Sequence, residues 1–121
     1  MSKRILVVED QEDNRRILRD LLTSVGFQLL EAEDGIQGVA AATAHRPDLI
    51  LMDIQMPNLD GYEATRRIKA DPQLRAIPII VVTSYALSGD EDKARAAGCD
   101  DYITKPYSPR QLLAKIKEHL H

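Results

Sequence analysis

Short unbroken apolar runs alternate along this chain with longer stretches whose apolar positions recur every three or four residues. Leu49-Ile50-Leu51-Met52, ending at Asp53, places four apolar residues in a row. That is the pattern of a strand buried on both faces, and so of a central parallel strand. Ile5-Leu6-Val7-Val8 repeats it, as does Pro78-Ile79-Ile80-Val81-Val82, with proline at the first strand position, where a missing N–H is tolerated. Gln28-Leu29-Leu30-Glu31-Ala32 reads as a shorter, weaker strand nearer an edge, and Asp101-Tyr102-Ile103-Thr104 as the last strand.

Helical spacing fills the gaps. Ile17, Leu18, Leu21, Leu22 and Val25 share one face of a first helix, with Arg15, Arg16, Arg19 and Asp20 on the other and Gly26 as its stop. Asp34-Gly35 turns into an alanine-rich helix through His45, with Ile36 and Val39 inward, and Pro47 prevents its continuation. Met56-Pro57 and Asp60-Gly61 force a loop after Asp53. Asp60 with Glu63 predicts a capping box for a helix from about Gly61 to Ala70. Ser88 with Glu91 predicts one for a short, poorly apolar helix ending near Gly98. Ser108-Pro109-Arg110-Gln111 starts the last helix, which carries Leu112, Leu113, Ile116 and Leu120 on one face.

Strand and helix thus alternate five times. Right-handed crossovers then place helices on both faces of a parallel sheet, an α/β architecture. The 121 residues fit one domain, 1–121. Hydrophobic content of 44% and charged content of 29% are ordinary for a globular protein and add nothing to that picture. A net charge of −3 gives no electrostatic case for direct nucleic-acid binding. The single Cys99 has no disulfide or metal-spacing partner, so a reducing cytoplasm is the simplest setting. The start, Met1-Ser2-Lys3-Arg4, leads into only four strongly apolar residues, too few for a signal peptide or a membrane span.

The chemistry gathers at strand ends. Glu9 and Asp10 follow the first strand, Asp53 the third, Thr83 the fourth and Lys105 the fifth. Open α/β sheets place their ligand crevice at this carboxyl edge. Each residue alone has a plainer reading. Asp53 could cap a strand, Lys105 could be a surface lysine, Thr83 could bond backbone, and the acids could favour a helix N-terminus. Their convergence on one edge favours function. Three clustered carboxylates need a cation or their pKa values rise. Oxygen ligands without histidine or cysteine suggest Mg²⁺. A Lys105–carboxylate pair about 4 Å apart gains roughly 4 kcal/mol of Coulomb energy at an effective dielectric of about 20, before desolvation. Cation, ammonium and hydroxyl around one carboxylate describe a site that neutralises a phosphoryl group in transfer, with Asp53 as nucleophile. His45, His119 and His121 have no partners at ligand spacing and receive no role.

Glu9-Asp10, Asp53 with Met56-Pro57 and Asp60-Gly61, Thr83-Ser84, and Tyr102 before Lys105-Pro106 together resemble the signature of response-regulator receiver domains across the whole chain. The resemblance implies a CheY-like, flavodoxin-like (βα)5 fold with strand order 2-1-3-4-5, and two-component phosphorelay signalling. It implies a phosphoryl group taken onto Asp53, as 4-aspartylphosphate, from a histidine kinase or histidine phosphotransfer protein. Asp10, Asp53 and the Gln55 carbonyl would hold Mg²⁺, with Glu9 acting through water. Lys105 and Thr83 would bind phosphoryl oxygens. Thr83 and Tyr102 would form the switch pair, the Lys105–Pro106 bond would be cis, Gln55 and Tyr85 would flank the path of the attacking water, and the small Ser84 would suit access to the site. Tyr85, large and mostly apolar, would shield the acyl phosphate and slow its hydrolysis. The downstream partner would meet the face of the fourth helix, fifth strand and fifth helix, on a monomer or a weak phosphorylation-dependent dimer. The segment Ala86-Leu87-Ser88-Gly89-Asp90 is similar to cell-cycle single-domain regulators and to receivers of hybrid kinases. The sequence near Lys105 also resembles receivers fused to winged-helix transcription factors.

Three other functions remain as rivals. A phosphatase or phosphotransferase of haloacid dehalogenase type usually has a second aspartate two residues after the nucleophile, where this chain has Gln55. A flavin-binding protein needs a phosphate-cradling loop after the first strand, where Glu9-Asp10-Gln11-Glu12-Asp13 would repel phosphate. A receiver-like binding module that is never phosphorylated would not need the intact Asp53, Asp10 and Lys105.

Overall fold

The structure is a computed structural model. It describes residues 3–54, 56, 58–83 and 90–120, with the backbone alone at 90 and 91. The elements run β1 (Arg4–Val8), α1 (Glu12–Ser24), β2 (Gln28–Ala32), α2 (Gly35–His45), β3 (Leu49–Asp53), α3 (Gly61–Ala70), β4 (Ile79–Thr83), α4 (Asp90–Ala97), β5 (Asp101–Thr104) and α5 (Pro109–His119). All strand pairs are parallel, in the order β2-β1-β3-β4-β5. The expected order 2-1-3-4-5 is the observed one. The chain steps from β1 outward to β2, then back across β1 to β3. That reversal opens a crevice between β1 and β3 at their carboxyl ends.

The apolar runs are buried on both sides because alternate side chains enter opposite layers. Leu6, Val8, Ile50, Met52, Ile79 and Val81 pack with Ala42 of α2, Ala64 and Ile68 of α3, and Ala94 of α4. Ile5, Val7, Leu49, Leu51, Ile80 and Val82 pack with Leu18 and Leu22 of α1 and Leu112 and Ile116 of α5.

Several local expectations need correction. Ile17 is 62% exposed and Val25 48% exposed, whereas Arg15 is buried. Leu18 and Leu22, one helical turn apart, make the contact ridge of α1; Val25 lies past its last turn, at the C-cap. Ile36 also points outward. The buried positions of α2 are Gly35, Gly38 and Ala42, small residues that let the helix lie close to the sheet. A Cβ at Gly38 would meet the Val8 side chain at 2.9 Å. β2 matches the central strands in length, and its edge position shows as exposure of Gln28 and Glu31. β4 begins at Ile79; Pro78 stands just before it, its carbonyl accepting from Ile50 N at 2.9 Å. Asp60 caps α3 by accepting from Glu63 N at 2.9 Å, but the Glu63 carboxylate pairs with Arg66 and Arg67 rather than closing the box. The box at Ser108 and Gln111 is complete. The one expected of Ser88 and Glu91 lies outside the described side chains. Among the described residues, no helix is long and apolar enough to cross a membrane.

Candidate functional site

Val8 and Met52 are partners across β1 and β3, so the next residues, Glu9 and Asp53, emerge side by side from the buried centre of the sheet. Both are almost wholly buried, while Asp10 is exposed. Carboxylate oxygens of the three lie within 4.8 Å of one another. Thr83 closes β4 and is buried. Its carbonyl accepts from Lys105 N at 2.6 Å, which carries Lys105 back toward the acids. The Lys105 ammonium is 3.8 Å from Glu9 Oε2 and 4.0 Å from Asp53 Oδ2. The Lys105–Pro106 peptide bond is cis.

Close backbone contacts hold the loop that follows Asp53. A Cβ at Gly61 would sit 2.1 Å from the Asp53 carbonyl oxygen, and one at Gly35 would sit 2.3 Å from that of Leu59. Only glycine permits approaches this tight. Asn58 adopts a left-handed φ of 70° and donates through Nδ2 to Asp34 Oδ2 at 3.2 Å. Gly61 N donates to Ile54 O at 3.1 Å. The start of α2 therefore braces the loop that leaves the site.

Three carboxylates cluster beside the Lys105 ammonium, which pairs with Glu9 and Asp53, so among these four side chains negative charge is in excess. Burial pushes the Glu9 carboxyl up. A hydrogen bond with the Asp53 side chain, the Asn14 amide, the Lys105 charge and the Gln11 N–H outweigh burial, and the net shift is downward. An all-oxygen donor set with buried excess negative charge fits a small hard divalent cation.

Beside the acids, a cleft of about 390 Å³ opens between α1 and the β5–α5 connection, with Ile17, Leu21, Pro106, Tyr107 and Pro109 in its wall. Burial, and the charges of Glu9 and Asp53, push the Tyr107 phenol up. Tyr102 is half-buried on β5, with the Arg95 guanidinium 5.9 Å from its ring centre. Gln55, Ser84 and Tyr85 lie outside the described residues.

Three participants were not anticipated. Asn14 donates to Glu9 Oε1 at 3.0 Å, and Arg15 Nη1 donates to the Glu9 carbonyl at 2.8 Å. His119 meets Asp101 at 3.1 Å, so it does have a partner, away from the pocket. Asn14 and Arg15 carried one sequence signal, their position in the first turns of the helix that follows the acidic run. His119 and Asp101 are 18 residues apart and carried none.

The family model for the response regulator receiver domain matches residues 5–117. Over 120 residues the chain is 43% identical to the polar-differentiation response regulator DivK of Brucella anthropi, covering 99% of this chain and 98% of that protein. Among solved structures, it resembles the receiver domain of a sensor histidine kinase from Pseudomonas aeruginosa PAO1, with TM-score 0.91, 40% identity and coverage of 98% and 97%. That structure has a magnesium ion coordinated in its active site cleft. It also resembles the chemotaxis protein CheY4 of Vibrio cholerae, with TM-score 0.93, 26% identity and coverage of 99% and 100%.

Proposed function

The chain belongs to the response regulator receiver domain family of two-component signalling, and on that premise we propose that Asp53 is its phosphoryl acceptor. The supporting observation is a buried carboxylate grouped with two others and one ammonium at the β1–β3 crevice. An Asp53 oxygen attacks phosphorus, the donor's P–N bond breaks, and its electron pair returns to the donor imidazole. The product is an acyl phosphate on Asp53. Asp10, Asp53 and the Gln55 carbonyl would hold Mg²⁺, with Glu9 acting through water, and the bound ion would supply positive charge to the transferring oxygens. Lys105 orients one phosphoryl oxygen from the opposite side, and the Thr83 hydroxyl donates to another. By the family resemblance, Gln55 and Tyr85 would flank the path of the attacking water, and the small Ser84 would suit access to the site.

Family membership makes the chain a signalling protein that meets histidine kinases or phosphotransfer proteins. The finer readings are proposals. The domain promotes its own phosphorylation and dephosphorylation. Thr83 swings toward the phosphoryl group and Tyr102 moves inward, which changes the α4–β5–α5 face offered to the downstream partner. The protein is cytoplasmic and acts as a monomer or a weak phosphorylation-dependent dimer. Nothing in the fold or the comparisons favours the dehalogenase-type or flavin-binding alternatives.

Acetyl phosphate with Mg²⁺ should add one acid-labile phosphoryl group, and Asp53→Asn should abolish it, since an amide is neither nucleophile nor anionic ligand. Undiminished labelling of Asp53→Asn would move the acceptor elsewhere.

A further inference from the structure

Arg15 is only 6% exposed, a rare condition for arginine unless every donor is used. Its partners span three elements. Nη1 donates to the Glu9 carbonyl at 2.8 Å. Nη2 contacts the Glu12 carboxylate and lies 3.5 Å from Glu33 Oε1. Nε is 3.5 Å from Glu31 Oε1. Three carboxylates thus surround one guanidinium, so its charge is neutralised where it sits. What it delivers to the acidic pocket is geometry.

We infer that Arg15 is a positioning residue for the cation pocket, holding the Glu9 peptide so that the Glu9 and Asp10 carboxylates both face Asp53. Glu9 is fastened at three points. Its N–H donates to Ala32 O at 3.0 Å, its carboxylate accepts from Asn14, and its carbonyl accepts from Arg15. The carbonyl bond sets the rotation of the Glu9–Asp10 peptide, and with it the direction of Asp10. Residues outside a metal's direct ligands typically change affinity 10–100-fold when lost. Arg15 acts one step further out, through main chain, so the expected loss is about three- to tenfold. Lysine cannot substitute fully. Its single ammonium cannot serve the Glu9 carbonyl and the glutamates together, as the planar fork does.

The inference rests on the reading of this pocket as a Mg²⁺ site, and the test separates the two. Mg²⁺ binding is measured by calorimetry or amide NMR on the parent, on Arg15→Lys and on Glu31→Gln/Glu33→Gln. The parent should bind. Arg15→Lys should bind about three- to tenfold more weakly, and the Mg²⁺ concentration giving half-maximal labelling by acetyl phosphate should rise by the same factor. Its labelling rate at saturating Mg²⁺ should stay near the parent's. The double glutamate variant keeps the Glu9 bond and should bind within about twofold of the parent. A parent that does not bind Mg²⁺ defeats the site reading. A parent that binds, beside an Arg15→Lys that is less stable but binds equally well, overturns the inference and leaves Arg15 as a strut. Coupling is reciprocal, so Mg²⁺ should also slow hydrogen exchange at the Arg15 guanidinium in the parent protein. That readout needs no variant to fold, and unchanged exchange would overturn the inference as well.

Discussion

The two edges of the sheet treat charge in opposite ways. At the amino edge Asp48, Asp100 and Asp101 each have a close donor. Asp48 accepts from Arg4 N at 2.8 Å. Asp100 accepts from Ile79 N at 2.8 Å and from the Lys69 ammonium at 2.7 Å, and that ammonium also donates to the carbonyls of Arg75 and Ile77. Asp101 accepts from Tyr102 N at 2.8 Å and from Lys115 at 3.1 Å, and meets His119. At the carboxyl edge Glu9 accepts from Asn14 at 3.0 Å, and three clustered carboxylates gather beside the Lys105 ammonium, 3.8 Å from Glu9 and 4.0 Å from Asp53. Charge that stabilises is matched inside the chain. Excess negative charge gathered on a buried, glycine-braced frame suits a cation from outside the chain. The same sheet keeps the two apart by the length of a strand.

The largest expected effect tests the matched edge. Lys69→Met removes three donated bonds from a side chain that is only 15% exposed. It strands the Ile77 and Arg75 carbonyls and half of Asp100. A cost of about 2 kcal/mol is expected, since three charge-assisted bonds are lost from a network that solvent partly reaches. Urea unfolding measures it, while Mg²⁺ affinity at the far edge should not move. A loss below about 1 kcal/mol, or a coupled loss of Mg²⁺ binding, would end the separation of edges.

Much of this division was legible beforehand. Four-residue apolar runs announced β1, β3 and β4, Asp101-Tyr102-Ile103-Thr104 announced β5, and the residues after each marked the carboxyl edge, so Glu9, Asp10, Asp53, Thr83 and Lys105 could be grouped without coordinates. The amino edge could not be read, because Lys69–Asp100 and Lys115–Asp101 join separate elements with no local pattern. Arg15 was misplaced for a related reason. Periodicity assigns arginine to the wet face, and only the three glutamates gathered by α1, β2 and the turn after β2 make its burial affordable. Ile17 and Ile36 failed the other way: an apolar residue beside a contact ridge satisfies the pattern and still faces water.

A smaller effect tests the unmatched edge. Asp10→Asn removes one of three like charges. Two charges about 4.8 Å apart repel by about 1 kcal/mol in a water-like dielectric, so the variant without Mg²⁺ should be more stable than the parent by up to about that amount. Its Mg²⁺ affinity should fall, and at high Mg²⁺ the parent should overtake it by mass action. A metal-free Asp10→Asn less stable than the parent would mean that the edge carries no strain of charge.

The smallest effect is a pH dependence at the matched edge. Burial pushes the Asp101 carboxyl up, but bonds from His119, Tyr102 N and Lys115, with the charge of Lys115, outweigh it, and the group titrates below its ordinary value of 3.8. A carboxyl depressed in the folded state stabilises the fold above its unfolded pKa, and loses that contribution as pH falls through its folded one. Asp101 therefore contributes fully at neutral pH and progressively less below 3.8. Asp101→Asn should lower stability at pH 7 by no more than about 1 kcal/mol, since its partners are partly solvated. The deficit should shrink as pH falls below that value, because the parent then loses what the variant never had. Denaturant midpoints for both proteins between neutral pH and the acid limit of folding supply the comparison. A deficit that stays constant into acid would mean that Asp101 stabilises through its shape and its bond to Tyr102 N, and that its charge is no better matched than those across the sheet.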